Sequence, residues 1–480
     1  MTYLSVILVY LFALIAIGIV KSRKIHTQSD FALAGRTLTP WVLVGTMLAS
    51  WIGTGSILGN AGKTYETGMA ALMLPIGSIL GIILLTRIAG KVRSYEKYTV
   101  PEIIGDRYGP VARNLSVFAL VMAYMVIVSY QYNAGGAVLY TVLADNTGTS
   151  IISIELATII AAVFIIAYTM LAGLLSVAYT DAANSIIMTL ALVISLPILW
   201  IKAGSWSGME TAFAAMNKSQ HMQFGGVYST MDIINFCLPP FLLVIGDANM
   251  YQRFSASKDV QSARYSTTIL VFAVLLIELL IIASSWVSSS MISEAEVGKH
   301  VLIYAAHQFL PTFLGAIMLT TIVGIIISTA DSFLLVPANT LIRDIYLNYI
   351  NPQASEKNIV RLSRLLVLLL GIIAYIVSIG FSRSAGFFER ALYAYTIYGA
   401  AITPALVAAL FWRGATKEGA VASIICGTLI TLFWKELPGL WFWLPTKWYI
   451  SLDEVLPAIS GSLLALIGVS YLTQKADPGK

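Results

Sequence analysis

Residues 41–62 read WVLVGTMLASWIGTGSILGNAG, an apolar run of the length that crosses a bilayer. Its centre, Ala49-Ser50-Trp51-Ile52-Gly53-Thr54-Gly55-Ser56, makes a poor helix. Glycines and hydroxyl residues stand where a membrane helix carries Leu or Ile, and each interior Gly costs about 1 kcal/mol relative to Ala. A break here frees backbone carbonyls. In hydrocarbon these are tolerated only where protein, water or a bound ion satisfies them, so the stretch predicts an ion and solute site near the bilayer midplane.

The whole 480-residue chain is 58% hydrophobic and 11% charged, with a mean hydropathy of +0.82. That composition is of a polytopic, all-α membrane protein rather than a soluble domain. Apolar runs predict thirteen spans, near 3–20, 40–62, 69–90, 115–141, 151–173, 178–202, 232–250, 265–290, 309–342, 362–381, 388–412, 419–434 and 455–473. Tyr3 to Val20 is followed by Lys21, Arg23 and Lys24, the reverse of a signal peptide's order, so it is expected to be a retained first span. With the N-terminus outside and the C-terminus cytoplasmic, 21 of the 29 Lys and Arg residues fall in inside loops.

The longest polar stretches, 91–114, 204–231 and 435–454, are loops; the last two have the Trp, Met and Phe of segments lying at the membrane interface. Neither an enzyme with a catalytic head nor a receptor with a signalling domain is expected. Cys237 and Cys426 have no metal or redox spacing, the four histidines are scattered, and no phosphate-binding loop or nucleophilic triad is evident.

A second run, residues 232–250 (DIINFCLPPFLLVIGDANM), contains Pro239-Pro240 and then Gly246-Asp247, and is also expected to break near its middle. It begins five spans after the first broken run. Corresponding interruptions in two five-span halves point to an inverted-repeat transporter.

The ninth span carries Gly324-Ile325-Ile326-Ile327-Ser328-Thr329-Ala330-Asp331-Ser332. Ile325, Ser328 and Thr329 share a helical face, and two uncharged hydroxyls beside free carbonyls suit a hard alkali cation. The same hydroxyls can also bond back to carbonyls four residues earlier. Asp181, Asp331 and Asp247 lie in or beside spans, where a carboxylate costs at least about 2.5 kcal/mol, so each is either functional or a structural cap. Glu278 lies deep in the eighth span with no evident partner. Tyr124, Tyr132, Tyr393, Tyr395 and Tyr398 supply rings with polar tips for a solute cavity, or interface anchors, and Gln131 adds an amide beside them.

On these residues the chain resembles the sodium:solute symporters, which share the LeuT-type inverted repeat. The resemblance is carried by Ala34-Gly35-Arg36, Ala49 to Gly55, Ala172-Gly173-Leu174 through Tyr179-Thr180-Asp181, Tyr251-Gln252-Arg253-Phe254, Ser328 to Ser332, and Phe411-Trp412-Arg413 to Ala420. It implies a Na+ site built from the carbonyls of Ala49, Ile52 and Ile325 with the hydroxyls of Ser328 and Thr329. A second sodium site known in some members falls on Asp181, Ser328 and Ser332, but Asp331 stands where such members have Ser. The wording around Trp51 and Asp181 is similar to the choline transporters. Trp51 matches one ring of their aromatic cage, while Asp247 replaces another cage tryptophan.

The expected protein is a Na+-coupled importer of a small organic solute, an amino acid or amine rather than a sugar, with Na+ as coupling ion. Trp51, Thr54, Ser56, Gln131, Asp247 and Tyr395 are its expected solute contacts. A single membrane domain, 1–473, comprises an extra span at 3–20, repeats at 40–203 and 232–412, extra spans at 419–434 and 455–473, and a short cytoplasmic tail at 474–480. The expected setting is the plasma (inner) membrane, as a monomer in lipid without nucleic acid. Rivals are a proton-coupled symporter of the same fold, a channel, and a transporter-like sensor.

Overall fold

The fold is drawn from a computed structural model describing residues 2–22, 26–144, 150–294, 298, 300–381, 386–434 and 452–474. Residues 435–451 of the third predicted loop and the tail 475–480 lie outside the described residues, as do Arg23 and Lys24. Everything described is helix or connection, apart from two isolated β-bridges.

The main helices are α1 (Thr2–Ser22), α2 (Pro40–Trp51), α3 (Gly55–Met73), α4 (Ile76–Tyr95), α5 (Val100–Tyr108), α6 (Pro110–Val142) and α7 (Ile154–Lys202). There follow α8 (Ser205–Ala215), α9 (Thr230–Gly246), α10 (Ala248–Ala256), α11 (Val260–Ser289) and α12 (Thr312–Thr340). The chain ends with α13 (Glu356–Phe381), α14 (Phe387–Ala401), α15 (Thr403–Phe411), α16 (Lys417–Phe433) and α17 (Val455–Gln474).

Local chemistry sets many of the boundaries. Ser229 and Asp232 form a reciprocal capping box at the start of α9, Ser153 accepts the Leu156 N–H at the start of α7, and Asp259 accepts the Ser262 N–H at 2.6 Å to open α11. Asp259 is held below the usual carboxylate range by these N–H bonds. Most of the apolar interior is one continuous cluster, into which α2, α6, α7 and α12 pack.

Among the described residues eight helices qualify by length and apolarity to cross a membrane, nine counting the bent pair α2–α3, so this measure does not establish thirteen spans. The difference has identifiable sources. The predicted spans 151–173 and 178–202 form one 49-residue helix jointed at Gly173, whose φ of 58° and ψ of 170° are open in practice only to glycine. The α16 helix has 17 residues, and α4 carries Arg87, Lys91 and Arg93.

Both predicted interruptions exist, one of them displaced. α2 and α3 bend by 53° about Ile52, which leaves helical geometry with ψ of 86°. In the second run, α9 continues straight through Pro239 and Pro240, and the break falls at Asp247 instead. A proline's fixed φ suits a helix, and the loss is confined to its own N–H and the carbonyl that N–H would have met.

Candidate ion and solute site

The break in the first run determines which carbonyls are free. In a continuous helix the Gly53 N–H would serve the Ala49 carbonyl and the Ser56 N–H that of Ile52. Here Gly53 turns to Trp51, while Ser56 and Ile57 both turn to Gly53. The Ala49 carbonyl instead accepts the Thr329 hydroxyl at 3.2 Å, linking α2 to α12. The approach is close enough that a methyl group on Gly53 would stand 2.9 Å from the Thr329 side chain. Ile325 and Ser328 are buried on the same face of α12. Free carbonyls, a threonine hydroxyl and a closely packed backbone make an oxygen-rich, uncharged pocket of the kind a hard monovalent cation takes.

Ser328 has a second allegiance. Its hydroxyl donates to Asp181 Oδ1, and Thr46 donates to Oδ2 at 2.6 Å. Beside them the fully buried Arg253 places Nη2 3.5 Å from Asp181 Oδ2 and 2.7 Å from the Ser332 hydroxyl, with Nε 3.1 Å from Thr46. A guanidinium thus bridges Asp181 and Ser332, two of the three residues expected to hold a second sodium. Arg253 reaches this place because the break at Asp247 restarts the helix as α10 and turns this residue inward. A helix break brings residues beyond it to the site, a signal legible in the sequence and not drawn from it.

The expected solute contacts separate into three groups. Trp51, Ser56 and Tyr395 line one opening, with the Trp51 and Tyr395 rings stacked at 6.3 Å and Tyr395 seated over Gly55. Thr54 and Gln131 hydrogen-bond each other beside Gly53, leaving the buried Gln131 Nε2 without a partner. Asp247 stands apart: it caps α10 through the Asn249 N–H at 3.0 Å and accepts the Tyr124 hydroxyl at 2.5 Å. Asp331 accepts the Thr169 hydroxyl through Oδ1, its Oδ2 being unpartnered. Glu278, Asn60, Phe236 and Phe388 join the opening beside Trp51 and were not among the expected contacts. Ser56 and Asn60 are four residues apart on one helical face, the spacing that could have revealed the pair.

Among the described residues no group of three or more His, Cys, Asp or Glu side chains could hold a transition metal.

Comparison with known proteins bears on the family and the fold. The model of the sodium:solute symporter family matches residues 31–427. The sodium/proline symporter of Haemophilus influenzae is 26% identical, covering 98% of this chain and 94% of that protein. The high-affinity proline transporter PutP of Bacillus subtilis is 25% identical, with 96% of each chain covered. Among solved structures, a Na+-coupled sialic acid symporter in a substrate-bound outward-open state superposes with a TM-score of 0.80 at 15% identity, covering 98% of both chains. Mhp1, a nucleobase-cation-symport-1 family transporter, follows at a TM-score of 0.56 and 13% identity, covering 93% of this chain and 95% of that one. Shared helices over the whole length, the broken first run and the matched motifs lead to one assignment: the chain belongs to the sodium:solute symporter family and is a Na+-coupled symporter of a small solute, not an enzyme.

Proposed function

We propose that this symporter carries one Na+ inward with each small amine or amino acid, and that the ion binds between the α2 break and α12. Ala49, Ile52 and Ile325 supply carbonyls; Thr329 and Ser328 supply hydroxyls. The observation that carries this reading is the Thr329 hydroxyl on the Ala49 carbonyl, a bond made possible only by the break. A Na+ ion there ties the bent helix to α12 and orders Trp51, which lines the opening, and Thr54, which bonds Gln131. Ion and solute then raise each other's affinity by the same factor, the thermodynamic requirement of coupling. Release follows when the two five-span halves, 40–203 and 232–412, rock about the site in alternating access.

The count of one ion rests on Arg253, whose guanidinium already neutralises Asp181 and occupies Ser332. The distribution of Lys and Arg supports an N-terminus outside and a C-terminus in the cytoplasm of a plasma-membrane protein. That curated relatives are named for proline supports an amino acid or amine over a sugar. Nothing in the site requires a second copy of the chain.

Uptake into proteoliposomes tests the reading. Accumulation should require an inward Na+ gradient, with a Hill coefficient near one for Na+, and uptake unchanged when K+ replaces Na+ would sink it. Asp331, with one unpartnered carboxylate oxygen, is the group a proton-coupled cycle would use; accumulation driven by a pH gradient without Na+ would favour that alternative.

A further inference from the structure

The Na+ site leaves Glu278 unused. This α11 carboxylate is 2% exposed and accepts the Ser56 hydroxyl at 2.6 Å and the Asn60 side-chain N–H at 3.0 Å. Neither donor is charged, and among the described residues no cation pairs with it. A carboxylate at membrane depth without a counter-charge is expensive enough that its partner is expected to arrive from outside the chain.

The surroundings specify that partner. Glu278 lines a narrow opening with aromatic rings in its walls. Trp51, Tyr395, Phe236 and Phe388 face the same space. Aromatic faces attract cations, most strongly where water is excluded. The rings already receive one: the Lys63 ammonium stands 5.6 Å from the Phe236 centroid and 5.9 Å from that of Phe388. Lys63 is itself paired with Glu66 at 2.9 Å, so it does not neutralise Glu278. Pro240 adds an acceptor, because its missing N–H leaves the Phe236 carbonyl without its helical donor.

We infer that Glu278 is the counter-charge for an ammonium group on the transported solute, held between this carboxylate and the Trp51, Tyr395, Phe236 and Phe388 rings. The solute class is therefore compact organic amines, protonated or quaternary, including amino acids whose ammonium faces Glu278; anions and neutral polyols are excluded. This rests on the symport reading and narrows its substrate.

The test uses the full-length protein in detergent, its thermal unfolding followed in NaCl and in KCl. The probes are choline, L-proline and putrescine, each beside a counterpart lacking the positive charge: dimethylbutanol, N-acetyl-L-proline and butanediol. In NaCl at least one charged probe raises the midpoint and its counterpart does not. Glu278→Gln, which keeps the shape, weakens that probe by about tenfold or more and leaves the shift caused by Na+ alone unchanged. Should Glu278→Gln fail to fold, Phe236→Leu keeps the carboxylate with both donors and weakens the charged probe by about fivefold. The inference is overturned if no charged probe stabilises, if the counterparts lacking the positive charge stabilise equally, or if the variant that folds binds the charged probe as wild type does. Absence of any stabilisation by Na+ over K+ sinks the symport reading instead, a separate outcome.

Discussion

Thr329 and Ser328 are neighbours with different duties. Thr329 touches the Ala49 carbonyl directly, whereas Ser328 is shared with Asp181. Thr329→Ala should therefore raise the Na+ concentration for half-maximal uptake by about tenfold, the worth of one charge-assisted hydrogen bond, and Ser328→Ala by less. Both are read from uptake against Na+ concentration; unchanged curves would remove these hydroxyls from the ion. Gly53 belongs to the same contact. A methyl group there would lie 3.0 Å from the Thr329 hydroxyl oxygen and displace it, so Gly53→Ala should weaken Na+ in the same direction while the protein still folds. These positions were legible because glycine, hydroxyl and helical spacing are local properties. The guanidinium beside Asp181 was legible only in part: the Gly246-Asp247 break marks where the chain beyond it turns to the site, but the pairing of Arg253 with Asp181 is made by packing between distant segments.

At the scale of the helix, backbone geometry decides what sequence pattern left open. The glycines of the first run and the Gly246-Asp247 pair announced breaks, and both occur. Pro239-Pro240 announced one that does not, since the fixed φ of proline is itself helical and α9 runs through both. Gly173 was read as part of a motif, and its positive φ, the joint of α7, follows from how the two halves of that helix pack. Gly173→Ala should cost about 1–3 kcal/mol of stability. Gly468, within α17 and with nothing near its added methyl, offers the contrast: Gly468→Ala should be neutral or stabilising by up to about 1 kcal/mol. Thermal melts of the two variants side by side check both, and equal melting points would remove the special role assigned to Gly173.

Across the whole molecule, the connection before α9 folds back onto the bundle. There the His221 backbone carbonyl accepts the Trp286 indole N–H at 2.9 Å, and burial, helped by the Lys218 ammonium, holds its imidazole below the usual 6.5. The unfolded chain then takes up a proton more readily than the folded one. Stability is full above about pH 6.5 and falls as pH drops through and below it, no faster than about 1.4 kcal/mol per unit from this one group. Melting points between pH 7.5 and 5.5, flatter for His221→Gln than for wild type, are the expected result. Arg253 has a consequence on the same scale. Its positive charge is bonded to Asp181 and Ser332, and on the proposed stoichiometry of one Na+ per solute the accumulation ratio follows the first power of the sodium gradient. Each charge moved through 100 mV is worth about 2.3 kcal/mol, or about fiftyfold in concentration. On that proposed stoichiometry a single mobile ion gives up the steeper concentrating power of two, in exchange for a shallower dependence of uptake on external sodium.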